Sequence, residues 1–210
     1  MVVNAQNNST TTSSNLILPT TPPTTATKLN NPNVLIIFFN LQRIQTQLSL
    51  AQKALERGDN YMAFAHAYIP HSVIFPSIKN LVEQVDDNGL SAIRLEFALT
   101  DLPFMIKSAS PPDIIRKTII KDKNLLNSIS YNMIEPVTKS DRMSIMLQTA
   151  LFLLGDAEKS YQLSTAGISN KKYNNGTGQN NMDINKHELG QVDYENAAGL
   201  VKKMFRGKVY

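Results

Sequence analysis

Three side chains that could bind a metal ion lie close together in one apolar stretch. Met62 and His66 are four residues apart, and His71 follows directly after Pro70. Residues four apart are neighbours on one helical face, and a proline kink could turn His71 toward the other two. A thioether with two imidazoles suits copper, especially the reduced ion. The alternative is structural, because methionine commonly fills cores and an interior histidine commonly bonds to a carbonyl group.

Carboxylates form a second candidate group. Glu83, Asp86 and Asp87 lie together, and Glu96 and Asp101 follow on the next predicted helix. Carboxylates that face each other in a helical bundle can hold iron, typically together with Glu-x-x-His motifs. No such motif occurs here, so solvated charge at a helix end is the simpler interpretation. We therefore expect no cofactor, with copper or iron as the alternative.

Motifs for other chemistry are missing from the sequence. The chain contains no cysteine, which excludes disulfides, thiolate metal sites and cysteine nucleophiles. It has no Gly-x-Ser-x-Gly elbow, phosphate loop or dinucleotide fingerprint, so we expect no enzymatic activity. A net charge of +4 with scattered basic residues argues against nucleic-acid binding. No apolar run approaches the ~18 residues that a transmembrane helix needs.

Hydrophobic periodicity predicts that helices position these side chains. From Asp59 to Val85, apolar residues recur at alternating steps of three and four, which line one helical face. A second apolar stripe on a neighbouring face predicts that other helices surround this one. We expect Pro70 and Pro76 to kink or break it. The first stripe contains Tyr61, Phe64, Tyr68, His71, Phe75, Ile78, Val82 and Val85, and the second contains Ala63, Ala67, Pro70, Ile74 and Leu81.

The remaining pattern predicts further helices and no strand. A glycine that ends a helix and an aspartate that caps the next predict a tight turn at Gly58 and Asp59. The other helices are expected near 33–57, 89–107, 110–134, 140–166 and 191–206. In the 140–166 helix, Leu154 belongs to a regular stripe and is expected to face the interior. The predicted fold is all-α: an antiparallel up-and-down bundle of four to five helices with a kinked central helix and a C-terminal helix.

Composition divides the chain into four parts. Residues 1–32 are rich in Ser, Thr, Asn and Pro and are predicted to be disordered. Residues 33–166 form the predicted bundle. An Asn- and Gly-rich segment, 167–189, is predicted to be a flexible linker. Residues 190–210 are predicted to contain a C-terminal amphipathic helix.

The N-terminal sequence points to export. Val3 and Ala5 match the small residues that precede a signal-peptidase site, so we expect maturation near Gln6. Glycosylation sequons begin at Asn7, Asn8 and Asn175, although such triplets also arise by chance in sequence of this composition. We predict an extracytoplasmic protein, secreted or at the cell surface.

Apolar residues outside the main stripe of the first helix suggest a binding surface. Ile36 and Phe39 lie off that stripe and need a partner. The occupant could be the C-terminal helix with Leu200 and Phe205, a second copy of the chain, or another protein. Basic residues near the C-terminus could meet an anionic membrane or offset the dipole of their own helix. They are Lys202, Lys203, Arg206 and Lys208.

The helical hairpin around Gly58 and Asp59 resembles a known family. Residues Leu48, Ala51, Ala54, Leu55, Gly58, Asp59, Ala63, His66 and Ala67, with Ala150, Leu153, Leu154, Asp156, Ala157 and Tyr161, carry the resemblance. They look like the extracytoplasmic helical-bundle domain attached to high-affinity iron permeases. The resemblance implies an exported helical bundle near a metal-handling or membrane complex. We expect a non-enzymatic module that docks on a partner protein, such as a membrane complex, with a metal-binding accessory protein as the alternative.

Overall fold

The computed structural model describes residues 31–85, 89–170 and 178–205, with side chains for 32–85, 89–162 and 187–205. These residues form helices and no strand, which confirms the all-α prediction. The elements are α1 (Asn31–Glu56), α2 (Asn60–Ile69), a π-helical segment (Pro70–Ile74), α3 (Phe75–Val85), α4 (Leu90–Lys107), α5 (Pro112–Ile134), α6 (Lys139–Asn170) and α7 (Gly178–Phe205). The predicted export signal, the tail up to residue 30, the sequons, Asp86, Asp87, Arg206 and Lys208 lie outside the described residues.

Helix α1 runs antiparallel to α5 and α7, and the segment from α2 to α3 runs antiparallel to α4, which is compatible with the predicted up-and-down bundle. Side-chain pairs between helices give these directions, because their residue numbers rise on one helix as they fall on the other. The pairs are Gln45 with Asn127 and Ser49 with Lys123 (α1 and α5), Thr46 with Asp193 and Arg57 with Glu188 (α1 and α7), and His71 with Thr100 and Lys79 with Glu96 (α2 to α3 and α4).

The central helix is α1, and the prediction of residues 59–85 as the central element is wrong. Helix α1 packs against α2, α3, α5, α6 and α7. Its buried side chains accordingly lie on several faces and include Leu41, Ile44, Leu48 and Leu50. In α2, by contrast, Tyr61 is 79% exposed. A helix with one exposed face belongs at the periphery of a bundle.

A π-helical segment separates α2 from α3, where the two prolines predicted a kink or a break. The backbone N–H of Phe75 donates to the carbonyl of Pro70, five residues back. Pro76 has no N–H to continue the α-helical ladder. The buried face of α2 carries Ala63, His66 and Ala67, so Tyr61 and Tyr68 in the predicted principal stripe point outward.

The turn between α1 and α2 matches its prediction in detail. Gly58 has a φ of 74°, a left-handed conformation that side chains disfavour. The Asp59 side chain accepts a 2.9 Å hydrogen bond from the backbone N–H of Met62 and so caps α2. Such a cap contributes about 1 kcal/mol to stability.

Two clusters of buried side chains share α1. The larger one joins most of α1 to α2, α3, α4 and α5, including Leu95 and Leu99 of α4 and Ile119 and Leu126 of α5. The smaller one joins the N-terminal part of α1, with Val34 and Phe38, to α6 and α7, with Leu153 and Leu200. Helix α5 enters this second cluster only through Ile134 near its end.

The orientation predicted for the 140–166 helix is wrong. In α6, Leu153 is fully buried, whereas Leu154 is 37% exposed and Leu147 is also exposed. The buried face includes polar residues such as Thr149 and Ser160, and their presence hid it from a search for apolar periodicity. The predicted stripe therefore lies partly on the outer side of α6.

Helices α6 and α7 form an unusually close pair. A Cβ atom on Gly190 would lie 3.0 Å from the carbonyl oxygen of Ala157 and 3.1 Å from the Tyr161 ring. The prediction of a flexible linker over 167–189 is wrong at both ends, since α6 continues to Asn170 and α7 begins at Gly178. In the described part of the chain, no helix combines the length and apolarity that a membrane span needs.

Candidate functional sites

The predicted metal ligands lie on two successive segments, and their imidazoles contact different helices. His66 is buried in α2, with Nδ1 2.8 Å from Gln47 Oε1 on α1. His71, in the π-helical segment, has Nδ1 3.3 Å from Thr100 Oγ1 on α4. These contacts match the structural alternative for the two histidines. A metal site formed with Met62 stays a prediction.

The predicted carboxylate group is part of the solvent-facing surface where the structure describes it. Glu96 accepts two 2.9 Å hydrogen bonds from Lys79. This bonding raises the pKa of the Lys79 ammonium group above its ordinary value. Glu83 and Asp101 are exposed. Across the described ranges, no cluster of three or more His, Asp or Glu side chains could hold a metal ion.

The four residues predicted to bind a partner have separate environments. Leu200 is buried in the second cluster near Val34 and Phe38, so the C-terminal helix does pack on α1. Phe39 instead contacts Phe152 of α6, with ring centroids 5.4 Å apart. Ile36 is 45% exposed and lines a groove between α1 and α6, and Phe205 is 85% exposed.

A more continuous apolar surface lies on α4. Leu90, Ile93, Phe97 and Phe104 are 49%, 47%, 67% and 71% exposed, respectively. At about 100° per residue, these four positions fall within about 60° of one another around the helix axis, and they extend over about 21 Å. We call this set the α4 stripe. The opposite side of α4 packs against α2, α3 and α5 through Leu95, Leu99 and Leu102.

Asp193 lies in a polar cleft between α1, α6 and α7. Thr46 Oγ1 donates to Asp193 Oδ1 at 2.9 Å, and Asn196 Nδ2 donates to Thr46 Oγ1 at 2.8 Å. Burial raises the pKa of Asp193 to about 6, with the nearby Asp156 adding to the rise and the Thr46 hydrogen bond and Arg43 opposing it. The cleft is lined by both cations and carboxylates, including Arg43 and Asp156.

Asp122 is a second buried carboxylate. It lies on the side of α5 that packs into the larger cluster. Its side chain is 2% exposed, and Oδ2 has no hydrogen-bond partner. Burial raises its pKa to about 7; Asp101 adds to the rise, and Lys121 opposes it. Asp122 lines neither the groove between α1 and α6 nor the polar cleft around Asp193.

A cavity of about 370 Å³ lies where α1, α5, α6 and α7 meet. Helix α5 and the α6–α7 pair both pack on α1, but α5 makes only marginal contact with α6 and α7. The resulting gap is bounded by Phe38 and Gln42 of α1. The complete lining is Phe38, Gln42, Asn127, Ser128, Ser130, Tyr131, Ile134, Met146, Leu200 and Lys203. We call it the seam cavity.

The sequence contained a usable signal for the buried carboxylates but not for the cavity. Asp122 completes the alternating four-three series of Ile115, Ile119, Leu126 and Ile129 on α5. A polar residue in such a series is expected to be buried. The seam cavity depends instead on how far apart α5 and α6 lie, which periodicity does not specify.

The comparisons with known proteins add no relative: no family model, no curated protein and no solved structure matches the chain. The resemblance to the domain attached to iron permeases therefore stays a prediction.

Proposed function

We propose that the protein is a non-enzymatic helical-bundle module that docks on a partner protein through the α4 stripe. The exposure of Phe97 and Phe104 beside Leu90 and Ile93 carries this proposal. Aromatic side chains dominate binding energy at protein interfaces, and contiguous exposed apolar surface marks such sites. Single exposed apolar residues are ordinary, but four aligned on one helix are not explained by chance exposure alone.

The shape of the stripe indicates the kind of partner. A narrow apolar band about 21 Å long matches the apolar face of an amphipathic helix, or a groove that accepts α4 itself. Arg94 and Asp101 are exposed residues of the same helix and supply a polar rim of both signs. A partner with an apolar centre and a mixed polar edge fits this surface.

Export and association with a membrane complex belong to the same proposal and rest on the sequence. The Val3 and Ala5 pattern and the sequons support an extracytoplasmic location. A subunit held outside the membrane by a partner needs a docking surface, and the α4 stripe supplies one. Mass spectrometry of the native N-terminus tests the location, with maturation near Gln6 as the expected result.

The docking proposal is tested by isolating the native protein with its bound partner and repeating the isolation with the double variant Phe97→Ser/Phe104→Ser. Loss of two central aromatic side chains is expected to weaken binding at least tenfold, since each such truncation removes roughly 2 kcal/mol. The matched control is Ile114→Ser/Ile120→Ser, which removes two exposed apolar residues from α5. Circular dichroism verifies that both variants fold.

The expected result is a partner retained by the native protein and the α5 control but lost by the α4 variant. Equal retention by all three proteins would refute docking through α4. Isolation of the native protein alone, as a monomer without any partner, would refute the docking function itself.

A further inference from the structure

The seam cavity combines apolar walls with a few polar groups, which is the usual composition of a small-molecule site. Phe38, Ile134, Met146 and Leu200 contribute buried apolar surface from four different helices. Its volume of about 370 Å³ lies within the range of ~300–1,000 Å³ typical of ligand pockets. Ordinary packing defects in a core are much smaller, since few exceed the size of a water molecule.

The charge of the lining predicts the sign of the charge on a ligand. Lys203 is exposed and lines the cavity, so its ammonium group lies at the opening. Among the described lining residues, Lys203 is the sole charged side chain. The nearby amides and hydroxyls of Gln42, Asn127 and Tyr131 are uncharged. A ligand with an anionic headgroup at the opening and an apolar body inside fits both the lysine and the apolar walls.

We propose that the seam cavity binds a small monoanionic amphiphile, a medium-chain carboxylate. At roughly 30 Å³ per water-sized group, the cavity holds on the order of twelve non-hydrogen atoms. A saturated carboxylate of about ten carbons has that size. Its carboxylate contacts Lys203, and its chain lies against Phe38, Ile134, Met146 and Leu200.

Titration calorimetry of the full chain with sodium decanoate, below its micelle concentration, tests this site. We expect saturable one-to-one binding with a Kd of about 1–100 µM. Decan-1-ol tests the headgroup and is expected to bind several-fold more weakly. Decylammonium tests the sign of the charge and is expected not to bind, because its cation would face Lys203.

Two variants assign the binding to this cavity. Lys203→Met keeps the length of the side chain and removes its charge, and it is expected to raise the Kd for decanoate about three- to tenfold. Lys202→Met makes the same change of net charge one residue away, outside the lining, and is expected to leave the Kd unchanged.

Several outcomes would overturn the proposal. No saturable heat with decanoate up to about 1 mM would exclude the site at the affinity expected. Equal effects of Lys203→Met and Lys202→Met would mean that decanoate binds elsewhere, and tight binding of decylammonium would exclude an anion site. The variant Phe97→Ser/Phe104→Ser is expected to bind decanoate as the native protein does, which separates this site from docking through the α4 stripe.

Discussion

The buried carboxylate of Asp122 predicts that the protein loses stability as pH rises from about 4 to about 7. In Asp122→Asn the side chain keeps nearly the same shape but cannot ionise. Asp122 is 2% exposed, and its Oδ2 is buried without a hydrogen-bond partner, so ionisation leaves this oxygen without a donor or water. We therefore expect the variant to be more stable than the native protein at alkaline pH.

The pKa of Asp122 sets the size and the sign of this effect. Burial raises the pKa from 3.8 to about 7. Below pH 4, the carboxyl is protonated in both states and has no effect on the stability difference. Between pH 4 and 7, the unfolded state releases the proton while the folded state keeps it, so stability falls as pH rises. Above pH 7, the carboxyl is ionised in both states, so its full destabilising effect on the folded protein is present and no longer changes with pH.

At 1.36 kcal/mol per pKa unit, this change in pKa limits the loss of folding stability caused by the buried carboxyl to roughly 4 kcal/mol. The new amide also lacks an obvious partner, which offsets part of the gain. We therefore expect Asp122→Asn to exceed the native free energy of unfolding by about 1–3 kcal/mol at pH 8 and by much less at pH 4.5.

Urea denaturation followed by circular dichroism at both pH values measures the difference. The control is Glu83→Gln, which removes an exposed carboxylate from α3 and tests whether losing a negative charge alone is stabilising. A gain that is the same at pH 4.5 and pH 8, or that appears equally in the control, would contradict the assignment of the penalty to buried Asp122.

Two further predictions concern packing and buried hydrogen bonds. Leu153→Ala should lower the free energy of unfolding by about 2–5 kcal/mol and Leu154→Ala by less than about 1 kcal/mol, because only Leu153 is fully buried. Thermal or urea denaturation measures both losses. Equal losses would mean that α6 is rotated relative to this structure. Thr46→Val removes the hydroxyl that donates to Asp193, whose pKa is about 6, so it should lower stability by about 1–3 kcal/mol at pH 8 and by less at pH 5. The same loss at both pH values would show that the ionised carboxylate does not depend on Thr46.

Local signals predicted most of the elements, while the arrangement of elements was harder to predict. Gly58 and Asp59 fixed the first turn because a left-handed residue and a capping carboxylate act within a few residues. Pro70 and Pro76 located the irregular segment for the same local reason. The central position of α1 followed from contacts with helices more than a hundred residues away, such as the bond between Thr46 and Asp193.

The candidate sites were also hard to predict from local sequence patterns. A search for apolar residues alone omits Asp122 and Thr149, although both are buried. Leu154 was assigned to the interior because apolar spacing alone cannot distinguish a buried stripe from an exposed one on the same helix. The exposure of the α4 stripe depended on which side of α4 packs against α2 and α5.

The docking surface and the seam cavity are built from different parts of the bundle, so neither proposal depends on the other. The α4 stripe belongs to a helix that packs against α2, α3 and α5 around the larger cluster. The seam cavity lies at the edge of the smaller cluster, between α5 and the α6–α7 pair. Helix α5 contacts α4 and lines the cavity through Ser130 and Ile134, while α1 lines the cavity and packs against α2 and α3, which contact α4. If a ligand in the cavity influences docking through either helix, decanoate should alter partner affinity in the native protein but not in Lys203→Met.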